Sequence, residues 1–243
     1  MCYTVCVPPK ERSEPVDFCG FQKLTLLDYP GRMAATLFTG GCNLRCPFCH
    51  NGGLVLSPES LYSEDEVLTF LASRKGLLDG VCVTGGEPLL QPELGEFLSK
   101  VKDLGMSVKL DTNGTLPNRL KELVSRGLVD YIAMDVKNCP EKYAETTGLP
   151  SVDLSRINES ISFTMEGKTE YEFRTTVVRE LHTEDDIAKL AQWIAGAQKY
   201  ALQSFVDSGS LLSDGLTAWD KETMYRMADI ARKSVPNTEV RGI

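Results

Sequence analysis

Met33-Ala34-Ala35-Thr36-Leu37-Phe38 is an apolar run that reads as a buried strand. The stretch after it, Thr39-Gly40-Gly41-Cys42-Asn43-Leu44-Arg45-Cys46-Pro47-Phe48-Cys49-His50-Asn51, is a loop with three cysteines in eight residues. An apolar strand that ends in a loop of unusual residues recurs down the chain. Strands are predicted at Met33–Phe38, Gly80–Thr84, Ser107–Leu110, Tyr131–Asp135, Glu172–Val178 and Leu202–Val206. Between and after them, helical periodicity covers Ser63–Arg74, Pro92–Leu104, Pro117–Arg126, Val152–Ser162, Glu184–Tyr200 and Lys221–Lys233. Ser63-Glu64-Asp65-Glu66 reads as a capping box, and Thr183-Glu184-Asp185-Asp186 opens a helix in the same way. Six strand–helix alternations imply an α/β fold with a parallel sheet and helices packed outside it. They are too few for a closed eight-fold barrel, so the expectation is an open sheet or partial barrel, a partial (β/α)6 barrel. In such folds the loops at the carboxyl ends of the strands build the site. Gly40–Asn51, Gly85–Pro88, Asp111–Gly114 and Met134–Asn138 all fall there, which points to one active site.

The chain has 243 residues and a formal net charge of −8. That length suffices to bury about 70–75% of the unfolded surface. An acidic balance with no basic run longer than a pair argues against nucleic acid as the main partner. No stretch approaches 18 apolar residues, which argues against a membrane span. The start lacks the basic region, apolar core and small-residue site of a signal peptide, so a cytoplasmic protein with reduced thiols is expected. Residues 1–20, with Pro8, Pro9 and Pro15 and no sustained period, read as a loosely held N-terminal extension, leaving 21–243 as the domain.

Three readings of the cysteine loop compete. A structural zinc site wants four ligands, and only His50 is near, adjacent to Cys49. Cys46-Pro47-Phe48-Cys49-His50 matches the c-type haem attachment pattern formally, but that assembly is expected after export. A 4Fe-4S cluster with three cysteine ligands and one open iron explains why three cysteines cluster without a fourth. Elsewhere, Cys82 reads as a small buried hydrophobe and Cys139 as structural. His182 reads as a solvated or capping loop residue, and Cys2, Cys6 and Cys19 do not make a second metal site.

The spacing Cys42-x3-Cys46-x2-Cys49, with Phe48 before the last cysteine, resembles the radical S-adenosylmethionine (radical SAM) superfamily. Gly85-Gly86-Glu87-Pro88 resembles that superfamily's glycine-rich motif. Asp111-Thr112-Asn113-Gly114 and Asp135-Val136-Lys137 resemble segments of the glycyl-radical enzyme activating enzymes, such as the pyruvate formate-lyase activator. The opening Gly20–Gly31 looks like that of the anaerobic ribonucleoside-triphosphate reductase activating proteins.

The resemblance implies that Cys42, Cys46 and Cys49 ligate a 4Fe-4S cluster whose open iron is chelated by S-adenosylmethionine. Gly85, Gly86 and Glu87 would cradle the methionyl amino group. Phe48, Asp111, Thr112 and Asp135 would lie at the cofactor, beside a monovalent cation, with Lys137 and Arg174 facing its carboxylate. Arg174 reads equally as a solvent-facing strand residue; pointing inward, it needs an anionic partner. The implied activity is that of an oxidoreductase: reductive cleavage of S-adenosylmethionine to a 5′-deoxyadenosyl radical, then removal of a hydrogen atom from a partner glycine. The implied partners are an anaerobic ribonucleotide reductase and a low-potential electron donor such as flavodoxin or ferredoxin. The alternatives are an activator of another glycyl-radical enzyme, a small-molecule enzyme such as 7-carboxy-7-deazaguanine synthase, or a non-catalytic zinc- or cluster-binding module. Two departures stand: the pyruvate formate-lyase activator's late His has no counterpart in Gln203–Ser210, and no second cysteine array is present.

Overall fold

A computed structural model describes residues 16, 18–56, 58–207, 209 and 211–243. The strands are β1 (Phe18–Thr25), β2 (Ala34–Thr39), β3 (Gly80–Gly85), β4 (Ser107–Thr112), β5 (Tyr131–Asp135), β6 (Glu170–Val177), β7 (Tyr200–Ser204) and β8 (Thr238–Arg241). They lie in one sheet in sequence order, with β1 antiparallel to β2 and every later pair parallel. This is the α/β partial barrel that the strand–helix alternation implied, with one strand more at each edge. Both additional strands lack a clean apolar pattern. β1 is interrupted by Gly20 and carries Lys23, while β8 is the short run Thr-Glu-Val-Arg. They form because neighbouring strands offer their edges.

The helices are α1 (Gly52–Leu56), α2 (Glu64–Ser73), α3 (Leu94–Asp103), α4 (Pro117–Ser125), α5 (Tyr143–Thr146), α6 (Leu154–Met165), α7 (Glu184–Trp193) and α8 (Lys221–Arg232). Both expected capping boxes are present, Ser63 with Glu66 and Thr183 with Asp186. The helix expected over Glu184–Tyr200 stops at Trp193, because Gly196 turns the chain at φ +85 and Tyr200 already starts β7. The expected extension over 1–20 falls mostly outside the described residues, but Phe18 to Gly20 already belong to β1. Phe18 is fully buried, with its ring 5.0 Å from that of Phe97.

The side-chain period of two sorts each strand into an outer and an inner face. On β4, Val108 and Leu110 join the core under the helices, whereas Lys109 and Asp111 point into the lumen. On β6, Tyr171 and Phe173 pack outward, and Glu172 and Arg174 turn inward. Apolar burial therefore holds the outside of the sheet, while the inside carries these charges beside a small apolar cluster of Tyr29, Ala34, Tyr131 and Ala133. Register then aligns the strand ends: Thr39 pairs with Gly85, Asp111 with Ala133 and Asp135 with Arg174. Among the described residues no helix is long and apolar enough to cross a membrane.

Candidate active site

The cysteine loop leaves β2 through Gly41 at φ +79, whose N–H donates to the Leu54 carbonyl at 2.8 Å. Arg45 N–H donates to Thr147 O at 2.9 Å, tying the loop to the far side of the barrel mouth. Phe48 is buried with Leu44, Cys46, Val178 and Phe205 in a small apolar cluster, which anchors the loop beside the last strands. Cys42, Cys46 and Cys49 are free thiols that line one cavity with about 760 Å3 of empty space, counting the part open to solvent. Its walls also include Gly86, Asp111, Thr112, Asn113, Asp135, Lys137 and Arg174. Residues up to 134 positions apart thus meet at one rim, Cys42 and Thr176 being the extremes.

Burial pushes the Cys46 thiol up to about 11 and raises that of Cys42. Thiolates here therefore require a positive partner, which coordinated iron would supply. Among the described residues no group of three His, Cys, Asp or Glu is gathered tightly enough to hold a single ion. A four-iron cluster accepts its thiolates at separate corners, so three soft donors around one cavity fit that group.

The two glycines after β3 serve a backbone contact. A Cβ on Gly85 (φ +117) would sit 2.4 Å from the Thr39 backbone N and O, and one on Gly86 would sit 1.8 Å from Gly41 O. Gly86 N–H donates to Thr39 O at 2.9 Å and Glu87 N–H to Gly41 O at 2.9 Å, so this turn is bolted to the cysteine loop. Glu87 is 1% exposed and does not line the cavity. Its carboxylate accepts from Asn113 N–H at 2.7 Å, Thr112 Oγ1 at 2.9 Å and Leu89 N–H at 3.1 Å. Burial raises it to about 7 against the pull of these donors.

Opposite the cysteines runs a row of alternating charges. Lys109 pairs with Asp111, and Asp111 Oδ2 accepts from Arg174 Nη1 at 3.1 Å. Arg174 Nε donates to Asp135 Oδ1 at 2.9 Å, and Lys137 Nζ donates to Asp135 Oδ2 at 3.0 Å. Arg174 thus points inward between two carboxylates, so the solvent-facing alternative does not hold. Burial acts to raise Asp135, but Arg174 and Lys137 outweigh it and bring the carboxyl to about 2. The same contest, won by Arg174 and Lys109, holds Asp111 below the usual carboxylate range. The cavity wall therefore presents two ionised carboxylates beside two permanent cations, which suits a zwitterionic ligand.

His182 departs from its expected role as a solvated or capping residue. It is fully buried, its Nδ1 accepts from Val178 N–H at 3.1 Å, and its Nε2 donates to Lys137 O at 2.8 Å. The ring is edge-on to Phe48 at 6.5 Å, and desolvation keeps it neutral. It packs inward because the segment after β6 folds over the end of β5. Sequence reasoning also missed Lys109 and Asn113. Lys109 carried a signal, a charge alternating with Val108 and Leu110, whereas Asn113 looked like an ordinary turn residue. Below the charge row, Asp111 and Arg174 also line a second chamber with Lys109, Glu172, Lys199 and Arg241.

Three comparisons bear on this arrangement. The family model "Radical SAM superfamily" matches residues 36–194. The chain is 30% identical over 233 residues, 92% of its length, to a Methanocaldococcus jannaschii protein named as a glycyl-radical enzyme activating enzyme, and covers 95% of that protein. It is 32% identical over 156 residues to the pyruvate formate-lyase-activating enzyme of Staphylococcus aureus, covering 58% of this chain and 61% of that one. Among solved structures, Streptococcus suis SuiB superposes with a TM-score of 0.67 at 15% identity, over 84% of this chain and 47% of that one. A domain of a pyruvate-formate lyase-activating enzyme from Bacteroides vulgatus superposes with a TM-score of 0.56 at 20% identity, over 67% of this chain and 99% of that one. At these identities the two structures bear on the fold alone.

Proposed function

Because this chain belongs to the radical S-adenosylmethionine superfamily and, within it, to the glycyl-radical enzyme activating enzymes, we propose that it generates the glycyl radical of an anaerobic ribonucleoside-triphosphate reductase. Its cofactors are a 4Fe-4S cluster and S-adenosylmethionine. In this reading Cys42, Cys46 and Cys49 ligate the cluster, and the observation that carries the assignment is the single cavity these thiols share with Asp111, Asp135, Lys137 and Arg174. When bound, the two cofactors supply one-electron cleavage of the sulfonium and an adenosyl carbon that takes a hydrogen atom from the glycine Cα.

The chain's own residues bind and orient. Lys137 and the Nη2 edge of Arg174, which no described residue hydrogen-bonds, would face the methionyl carboxylate, while Asp111 and Asp135 would balance the ammonium and a monovalent cation. Thr112 and Phe48 complete the wall. Gly85, Gly86 and Glu87 would hold the methionyl amino side, Glu87 acting through the Thr112 hydroxyl and the Asn113 backbone N–H that it grips. No general acid or base is required. The electron comes from a low-potential donor such as flavodoxin or ferredoxin. A reducing cytoplasm suits the thiols of Cys42, Cys46, Cys49, Cys82 and Cys139.

The choice of the reductase rests on the resemblance of Gly20–Gly31 to activators of that enzyme. The likeness to the Staphylococcus aureus protein favours a second reading, a pyruvate formate-lyase partner. Electron paramagnetic resonance on reduced, reconstituted protein with S-adenosylmethionine and each partner separates them. A glycyl doublet on the reductase is the expected result. A doublet on the lyase alone transfers the assignment, and an S-adenosylmethionine-sensitive cluster with neither doublet overturns both.

A further inference from the structure

The three cysteine sulfurs are not equivalent. Cys42 Sγ receives the Leu44 N–H at 3.4 Å and the Asn113 side-chain amide at 3.9 Å, whereas the sulfurs of Cys46 and Cys49 receive no N–H from any described residue. The Asn113 amide is held in that direction by a closed ring of hydrogen bonds. Its Oδ1 accepts from Thr115 N–H at 3.0 Å and from Thr115 Oγ1 at 2.6 Å, which fixes which end of the amide is oxygen. One Nδ2 proton then goes to Asn43 Oδ1 at 2.9 Å, and the other faces Cys42. Asn43 closes the ring by donating its own amide to Thr115 Oγ1 at 2.7 Å. The Asn113 backbone is pinned independently by Glu87, and its side chain lies in a residue only 6% exposed. Such fixed orientation exceeds what a turn needs.

We propose that Asn113 is a positioning residue that donates a hydrogen bond to the Cys42 sulfur and thereby raises the reduction potential of the cluster. A donor to a ligating thiolate stabilises the reduced, more negative cluster more than the oxidised one, so its loss makes reduction harder. The proposal rests on the ligand assignment above and concerns how easily the cluster accepts its electron.

The test uses the full chain, anaerobically reconstituted without S-adenosylmethionine. Midpoint potentials are taken by redox titration, and nitrogen couplings by pulsed resonance on protein labelled with 15N at the asparagine side chains. The wild type should show a weak 15N coupling to the reduced cluster, since the amides of Asn43 and Asn51 are spent on Thr115 and the Gly85 carbonyl. Asn113→Leu should keep its iron, lose the coupling and titrate at a more negative potential. Asn43→Ala, which frees the amide without removing it, should shift the midpoint less and in the same direction. A loaded Asn113→Leu at the wild-type midpoint, or a loaded wild type without the coupling, overturns the proposal. If Asn113→Leu does not hold iron, an unmoved midpoint in Asn43→Ala overturns it. Failure of the ligand assignment looks different: Cys42→Ala would then retain full iron and sulfide.

Discussion

Arg174 carries more of the site than any other single residue, because two part-buried carboxylates converge on its guanidinium. Removing one partner of a buried ion pair costs about 3–5 kcal/mol, since the remaining charge stays desolvated. Arg174→Met is expected to lose stability of that order in urea unfolding of the apo chain. Asp135 supplies a pH signature: its carboxyl lies near 2 when folded, against an ordinary 3.8. A depressed folded value means its contribution is complete above about pH 4 and is lost as pH falls toward 2. In Arg174→Met the Asp135 carboxyl returns toward its ordinary value, so that loss should shrink, and an acid limb unchanged from wild type would refute this account of the pair. Gly86 makes a different demand. A Cβ there meets the Gly41 carbonyl, a backbone atom that cannot swing aside. Gly86→Ala should cost about 1–3 kcal/mol and lower iron and sulfide content together, because it separates the β3 turn from the cysteine loop.

At the scale of elements, α7 links stability to the site. Its capping box joins Thr183 to Asp186, and the preceding residue, His182, holds the Lys137 carbonyl. Thr183→Ala removes the cap and should cost about 1 kcal/mol, read as a shift in urea midpoint without a change in slope. Asp186 also takes a salt bridge from Lys142 at 2.8 Å, so Asp186→Ala should cost more than Thr183→Ala in the same titration. Equal losses would show that the pair with Lys142 contributes nothing. Helix α3 is a plain packing element by contrast, with Leu94, Phe97, Leu98 and Val101 fully buried against the sheet.

At the scale of the whole molecule, the barrel is open, and its two edge strands face different problems. β1 is secured by Phe18 in the core and by backbone bonds to Leu61 and Tyr62. β8 is secured across the lumen: Arg241 grips Glu172 through Nη1 and Nη2, at 3.2 and 2.6 Å. Glu172 is 1% exposed, and Lys199 at 3.5 Å is its other cation. Arg241→Leu should therefore destabilise the chain by about 3 kcal/mol and speed hydrogen exchange in β8 before β3 to β5. Uniform acceleration across all strands would instead mean that β8 has no separate opening.

By itself the sequence determined the strand–helix alternation, because apolar runs with a period of two and capped helices are local patterns. It also singled out the loops that meet around the cavity, since Cys42, Cys46 and Cys49 and the turns at Gly85 and Asp111 are unusual wherever they fold. Only the tertiary structure decided what those residues touch. Gly86 is glycine for the sake of Gly41, Glu87 faces the Asn113 loop, and His182 is buried against Phe48 and the Lys137 carbonyl. The edge strands β1 and β8 were equally illegible, as neither carries a clean apolar alternation and each forms on its neighbour's edge. The reason is common to all of these: local periodicity records which face a residue takes, while contacts between strand ends arise from register, which no short stretch of chain contains.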